Sequence, residues 1–283
     1  DYTPDDHDGF AAKIAKYDAL IARINPGQLS APGVKAGAQM RFDDLMRSLV
    51  AKKVPVWSSP GVQTQMGAKD ALCKIAGLQC GLADTLAYYS EDEMAEGFKK
   101  SVAFQPRVLK QNRGSSGEGV WIVKLKDREY CGAFGDAAAE DDWALELTEA
   151  SDNHVEVHTV GEFIEFCANG RSAKSGEWAS KGEGRYLEGG KEAGGQLVDQ
   201  RLLPRIDEGE VRILMAGDTC QMAIHKKPMG GGLSAVEGLA ELVLNCSEAV
   251  QAAALAWCVD NELSHVLLII EAEADDAFID ALS

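Results

Sequence analysis

The chain has no apolar run of the roughly 18–20 residues that a membrane-crossing helix requires. The longest candidate, Val266 to Ile270, has the length of a strand. Positive charge is scarce: 28 Lys and Arg stand against 45 Asp and Glu, a formal net charge of −17. A surface that acidic repels a phosphate backbone and argues against general nucleic-acid binding. It leaves room for a single nucleotide, which needs only local lysines and backbone N–H groups. No C-x-x-C pair occurs among the seven cysteines (73, 80, 131, 167, 220, 246 and 258). Their scatter excludes a zinc ribbon and a secreted disulfide framework, so reduced thiols in a cytoplasm are expected. The five histidines and seven cysteines form no local Ser-His-Asp or Cys-His signature, so no protein nucleophile is indicated.

What is present is an ordinary globular composition, 46% apolar and 26% charged, over 283 residues, enough for two or three lobes. The chain opens on an acidic stretch, Asp1 to Asp8, with no initiator Met or signal pattern, and it closes soon after an expected last strand. The expectation is an incomplete copy of a longer protein. Residues 9–24 are apolar at mixed spacing and end in Ala19-Leu20-Ile21-Ala22-Arg23-Ile24, which reads as a strand. Met40, Phe42, Leu45, Met46, Leu49 and Val50 recur at helical spacing, and Val54 to Trp57 reads as a second strand. Ala68 to Ile75 reads as a helix, 81–105 as a connection, and Arg107–Lys110 with Val120–Val123 as two strands of a hairpin. A helix is expected over Glu162–Cys167, and a Gly-, Ser-, Lys- and Glu-rich surface loop over 169–195. Gln196 to Leu203 reads as extended, and Glu210–Ala216 and Gln221–Lys227 as strands paired across Gly217-Asp218. A helix over 246–262 and a buried strand over Val266–Ala272 follow.

Four segments carry chemistry. The first is Val108-Leu109-Lys110-Gln111-Asn112-Arg113-Gly114-Ser115-Ser116-Gly117-Glu118-Gly119-Val120. Its glycines let backbone N–H groups turn inward around phosphate oxygens, and Lys110 adds a point charge. A strand follows rather than Gly-Lys-Ser/Thr or a helix, which excludes a Walker A loop and a dinucleotide fingerprint. Read alone, it is more often a flexible hairpin turn. The second is Gln200-Arg201-Leu202-Leu203-Pro204-Arg205-Ile206-Asp207-Glu208-Gly209-Glu210-Val211-Arg212, whose extended backbone could read an adenine edge. Glu210 and Arg212 alternate with apolar residues and so share one strand face. Read alone, they are more often a surface ion pair. The third is His225-Lys226-Lys227-Pro228 before Gly230-Gly231-Gly232, a phosphate clamp or a solvated strand end. The fourth is Glu271-Ala272-Glu273, two carboxylates on one side of an apolar strand, suited to a hard metal or to a strand end.

In this order the four segments resemble the ATP-grasp superfamily, most closely its glutathione-synthetase-like branch, over about residues 19–273. Within it the motifs are similar to those of a group of uncharacterised bacterial ATP-grasp proteins. The resemblance implies an α/β (α+β) fold with the nucleotide site between two α+β lobes. It places an incomplete N-terminal α/β lobe at 1–66, a linker and small lid lobe at 67–160, and a large lobe at 161–283. It implies ATP and Mg²⁺ as cofactors. Lys69 and Lys110 would meet the nucleotide, with Lys110 on the α/β-phosphates. Ser115, Ser116, Gly117 and Gly119 would form a lid, Gln200, Arg201, Leu202 and Leu203 the adenine hinge, and Glu210 the ribose contact. Arg212, Lys226 and Lys227 would neutralise the transferring phosphate, and Glu271 and Glu273 would hold the metal. Two departures stand out: Glu273 where the family has Asn, and no clear counterpart of a further acidic ligand, with Asp260 and Glu262 nearby.

The implied reaction joins a small carboxylate to an amine or thiol through an acyl phosphate, releasing ADP and phosphate. Positioning and charge neutralisation would supply the catalysis. A homodimer is among the family's expectations; nucleic acid and membrane are not. The alternatives are an ATP-binding regulatory or scaffold protein with impaired catalysis, and a small-molecule phosphotransferase.

Overall fold

The computed structural model of the protein describes residues 1–22, 24, 29, 33–35, 37–58, 61, 69, 71–79, 81–112, 114, 117–216, 219–226 and 240–245. For 193, 207, 212, 214–216, 219–222, 226 and 240–245 the backbone alone is described. The described residues fall into two compact units, Asp1–Gly77 with Leu82–Leu203 and Leu78–Gly81 with Pro204–Ser283. The fold is α+β. No described helix is long and apolar enough to cross a membrane.

The first unit begins with α1 (His7–Ile14), β1 (Leu20–Ile21), α2 (Ala38–Ala51) and β2 (Val56–Trp57). β1 and β2 pair in parallel, Leu20 beside Val56. Phe42, Met46 and Leu49 of α2 are buried in a small core with Ile14, Leu29 and Ala38. The expected strand-helix-strand is there, preceded by the helix at 7–14, whose apolar residues include Phe10 and Ile14, one helical turn apart.

A short helix α3 (Ala71–Lys74) leads to a six-stranded antiparallel sheet. Its strands are β3 (Leu86–Tyr88), β4 (Arg107–Gln111), β5 (Val120–Leu125), β6 (Ala144–Glu149), β7 (Val155–Thr159) and β8 (Leu197–Arg201), in the order β3-β8-β4-β5-β6-β7. The expected connection at 81–105 is therefore corrected: it holds β3 and the helix α4 (Glu91–Phe104). Ser90 caps α4 by accepting the Glu93 backbone N–H at 3.2 Å, and Glu93 reaches back to the Tyr89 N–H at 2.7 Å. Met94, Phe98 and Val102, four residues apart, form its fully buried stripe. α5 (Val160–Asn169) starts on a capping box between Thr159 and Glu162. α4 and α5 share a core with Leu109, Trp121, Val123, Leu145, Leu147 and Leu197 on one face of the sheet.

The expected surface loop at 169–195 is also corrected. Trp178 stacks between Phe166 and His158, with ring centroids 3.8 Å away on each side. Tyr186 and Leu187 are buried in the same core, and Arg171 ties down the carbonyls of Trp178, Ser180 and Gly182. Three apolar anchors and one guanidinium outweigh the glycine-rich composition. The expected lobe boundary at 160/161 runs through this unit, since β8 is hydrogen-bonded between β3 and β4.

In the second unit β9 (Glu210–Ala216), β10 (Thr219–Lys226) and β11 (Ala240–Asn245) form an antiparallel sheet in the order β11-β10-β9. A single helical turn, Ile206–Glu208, precedes it, closed by an Arg205–Glu208 ion pair at 2.5 Å. The expected pairing of β9 with β10 is observed, Lys226 opposite Glu210 and Ile224 opposite Arg212.

Candidate functional site

Directly opposed residues of antiparallel strands share a face. Val108 opposes Gln200, and Lys110 opposes both Val198 and Val120. These residues therefore lie on the sheet face away from α4 and α5, while Leu109, Trp121 and Asp199 occupy the core face. Lys110 Nζ donates to Gln200 Oε1 at 2.9 Å, and Gln200 Nε2 donates to Thr85 Oγ1 at 3.0 Å.

Lys69, from a segment some forty residues earlier, meets the same strand end. Its Nζ donates to the Gln111 carbonyl at 2.5 Å, and its backbone N–H donates to Asn112 Oδ1 at 2.8 Å. Burial, and after it the nearby charge of Lys110, lower the Lys69 ammonium from 10.5 to about 8. Two like charges drawn together under partial desolvation are disfavoured unless an anion joins them. Next to them, Gln196 accepts the Asn112 N–H on its backbone carbonyl and is only 3% exposed. Its side-chain Nε2 has no hydrogen-bond partner in the described structure, an unsatisfied donor that a ligand oxygen would fill.

The glycine hairpin follows at once. Gln111 N–H bonds the Gly119 carbonyl at 2.9 Å, and Gln111 Nε2 the Glu118 carbonyl at 3.1 Å. Gly117 (φ +83°) and Gly119 (φ +63°) adopt the left-handed region. A Cβ on Gly117 would lie 2.9 Å from the Ala150 backbone, and one on Gly119 2.4 Å from Gln111 Nε2. Both glycines are required twice, by backbone angle and by close approach.

Behind the hairpin lies a cluster that the sequence did not announce. Along β7, Val155 and Val157 are 58% and 50% exposed, whereas Glu156 and His158 are buried at 8% each. The alternation His154-Val155-Glu156-Val157-His158 was visible, but its polar side faces inward. Glu156 accepts the backbone N–H groups of Ala179 at 2.6 Å and Ser180 at 2.9 Å, and His154 Nε2 at 2.8 Å. Burial alone would raise the Glu156 carboxyl, but these donors bring it below the usual value of 4.5. Burial alone would lower His154, but its bonds to Asp152 and Glu156 raise it above 6.5. His154 likewise lowers Asp152 below 3.8.

The signs give a window. A raised histidine contributes stability that is full below 6.5 and is lost as pH climbs through its folded value. A lowered carboxylate contributes stability that is full above 4.5 and is lost as pH falls through its folded value. The stabilisation that His154→Gln removes is therefore expected to be greatest between about pH 4.5 and 6.5. Thermal unfolding of both proteins from pH 4 to 9 checks this; a pH-independent difference would refute it.

Of the expected site residues, the structure brings together Lys69, Lys110 and Gln200, with Gly117 and Gly119 at the end of the same hairpin. Arg201 is exposed on the other face, 3.9 Å from Asp84, and Leu202 donates its backbone N–H to the Pro106 carbonyl at 2.9 Å. Leu203 ends the first unit, half-buried. In the second unit Glu210, Arg212 and Lys226 occupy register positions on one face of the ladder, opposite to that of buried Ile213 and Ala223. Ser115, Ser116, Lys227, Glu271 and Glu273 lie outside the described residues, as do the expected helix 246–262 and strand 266–272. Among the described residues no group of three or more His, Cys, Asp or Glu could hold a metal ion. Asn112, Gln196, Glu149 and His154 had no role in the sequence reading, because long-range pairing places them. No protein-family model and no curated protein matches the chain, so this donor set is read on its own chemistry.

Proposed function

We propose that the chain is an ATP-grasp ligase that uses ATP to join a small carboxylate to an amine or a thiol. The observation that carries this reading is the pair Lys69–Lys110. Two ammonium groups from separate segments meet where β4 enters a glycine hairpin, and one of them stays desolvated. The donor set fits phosphate: two cations, an unsatisfied Gln196 amide, and a turn whose glycines can present N–H groups. Gln200, the first residue of the proposed adenine hinge, also fixes Lys110.

The chemistry asks little of the protein beyond this. ATP supplies the phosphoryl group that activates the carboxylate. Lys69 and Lys110 hold phosphate oxygens, and the glycine hairpin covers them and excludes water. Glu210, Arg212 and Lys226 would meet the ribose and the transferring phosphate, and Glu271 and Glu273 the Mg²⁺.

Titration calorimetry with MgATP tests the reading. Lys110→Ala is expected to weaken binding about 10- to 100-fold, the loss of one or two charge-assisted hydrogen bonds. Release of ADP with a panel of amino acids and short carboxylates then identifies turnover. Absence of MgATP binding by the wild-type chain would dismiss the proposal, and binding without ADP release would favour the catalytically impaired alternative.

A further inference from the structure

Glu149, at the end of β6, is 2% exposed and joins three segments. Its Oε1 accepts the Gly119 backbone N–H at 2.9 Å, and its Oε2 accepts the Ser180 hydroxyl at 2.7 Å. The same Oε2 lies 3.9 Å from His154 Nε2. Gly117 meanwhile rests on the backbone of Ala150 and Ser151, the first residues of the turn after β6. The rear of the glycine hairpin is thus held by one buried carboxylate and one turn. His154 closes that turn: its Nδ1 is bonded to Asp152, its Nε2 faces Glu156 at 2.8 Å, and its ring meets Trp121 of β5 edge-on at 6.0 Å.

Both ring nitrogens face carboxylates. An imidazolium satisfies them with two N–H donors; a neutral ring turns a lone pair toward one of them. We propose that Glu149 is a positioning residue for the glycine hairpin, and that protonation of His154 sets how firmly it holds Gly119. The groups facing His154 are Asp152 from its own turn, Glu149 from β6 and Glu156 from β7. Around them stand Lys181, which acts on Asp152, Glu118 of the hairpin, and His158, which touches Glu156. Glu118, Glu149, Ser151, Asp152, Lys181 and Gly182 line one concavity of about 390 Å³, so solvent reaches the cluster. Loss of the His154 proton leaves Asp152, Glu149 and Glu156 without the cation between them. Their repulsion acts on the turn beneath Gly117 and on the bond to Gly119. Burial disfavours that proton, but hydrogen bonding to Asp152 and Glu156 outweighs it and holds the proton to a pH above the ordinary histidine value of 6.5.

The consequence for nucleotide affinity rests on the ATP reading; the coupling of His154 to Gly119 does not. The test is therefore the Gly119 amide proton, followed by NMR in the full chain from pH 5.5 to 8.5. In the wild type it is expected to titrate with a midpoint above 6.5, the ordinary histidine value. In His154→Gln that titration disappears while the spectrum stays dispersed. In Glu149→Gln the Gly119 resonance moves to a new, pH-independent position. MgATP affinity measured at pH 6.0 and 7.5, below the value of about 8 for Lys69, is expected to fall about threefold in the wild type and to stay flat in His154→Gln. A Gly119 amide that does not titrate, or one that still titrates in His154→Gln, overturns the proposal. Titration of Gly119 in a chain that binds no MgATP supports the anchor and removes the nucleotide reading. Should Glu149→Gln fail to fold, the wild type and His154→Gln still decide.

Discussion

Asp199→Ala is expected to destabilise the first unit by about 3–5 kcal/mol, the range for a buried ion pair that loses one partner. Asp199 is fully buried in β8, and three donors converge on it. Its Oδ2 accepts the Tyr88 hydroxyl at 2.6 Å and the Ser101 hydroxyl at 2.5 Å, and its Oδ1 accepts Arg107 Nε at 2.6 Å. Burial raises the carboxyl, while the Arg107 charge and the two hydroxyls pull it back toward ionisation. Arg107, 1% exposed, keeps Asp84 as its second partner at 2.8 Å. Alanine would take the acceptor from Arg107 Nε and from the Tyr88 hydroxyl inside the β3-β8-β4 layer, and leave the Ser101 hydroxyl with the Phe98 carbonyl alone. For a unit of about 200 residues this corresponds to a fall in melting temperature on the order of 10 °C. Asp199→Asn retains an acceptor for the hydroxyls and should lose less. Denaturant unfolding of both variants measures the difference; a loss below about 1 kcal/mol for alanine would mean the network adds little to stability.

Because β8 carries Asp199 on one face and Gln200 on the other, the same network steadies the strand on which Lys110 depends. This layering bears on what could be read from the sequence. Period and turn chemistry sufficed for α2, for the β4–β5 hairpin and for β9 with β10, where apolar residues recur at the proper spacing. They did not suffice for α4, whose buried Met94, Phe98 and Val102 are diluted by six acidic or basic residues in the same helix. Ser90 and Glu93 held the readable clue. β6 and β7 escaped because Glu149, Glu156 and His158 face inward while Val155 and Val157 face out, the reverse of a solvated strand. The loop at 169–195 misled by composition: its glycines are many, but Trp178 and Tyr186 decide where it goes. Of the site, Lys69, Lys110 and Gln200 were legible as motif positions. Gln196, Glu149 and His154 were not, since their partners come from other strands and from loops remote in sequence.

Lys69→Met offers the sharpest separation of function from stability, because the two should move in opposite directions. At neutral pH Lys69 is protonated in both folded and unfolded states, since its folded value of about 8 and its ordinary 10.5 both lie above 7. The native state alone bears the desolvated ammonium and its repulsion by Lys110. Removing that charge is worth on the order of 3 kcal/mol, and leaving the Gln111 carbonyl without its donor takes back about 1 kcal/mol. The ligand-free variant should therefore be more stable than the wild type by about 2 kcal/mol below pH 8. Between 8 and 10.5 the wild-type native state sheds the proton before the unfolded chain does, so wild-type stability rises and the gap narrows. Nucleotide affinity should fall about 10- to 100-fold in the same variant, because one of the two ammonium groups that would hold phosphate oxygens is gone. Unfolding curves at pH 7 and pH 10, set beside calorimetry with MgATP, give both readouts. A variant that loses stability together with affinity would make Lys69 a structural brace of β4; one that gains stability and keeps affinity would remove it from the site.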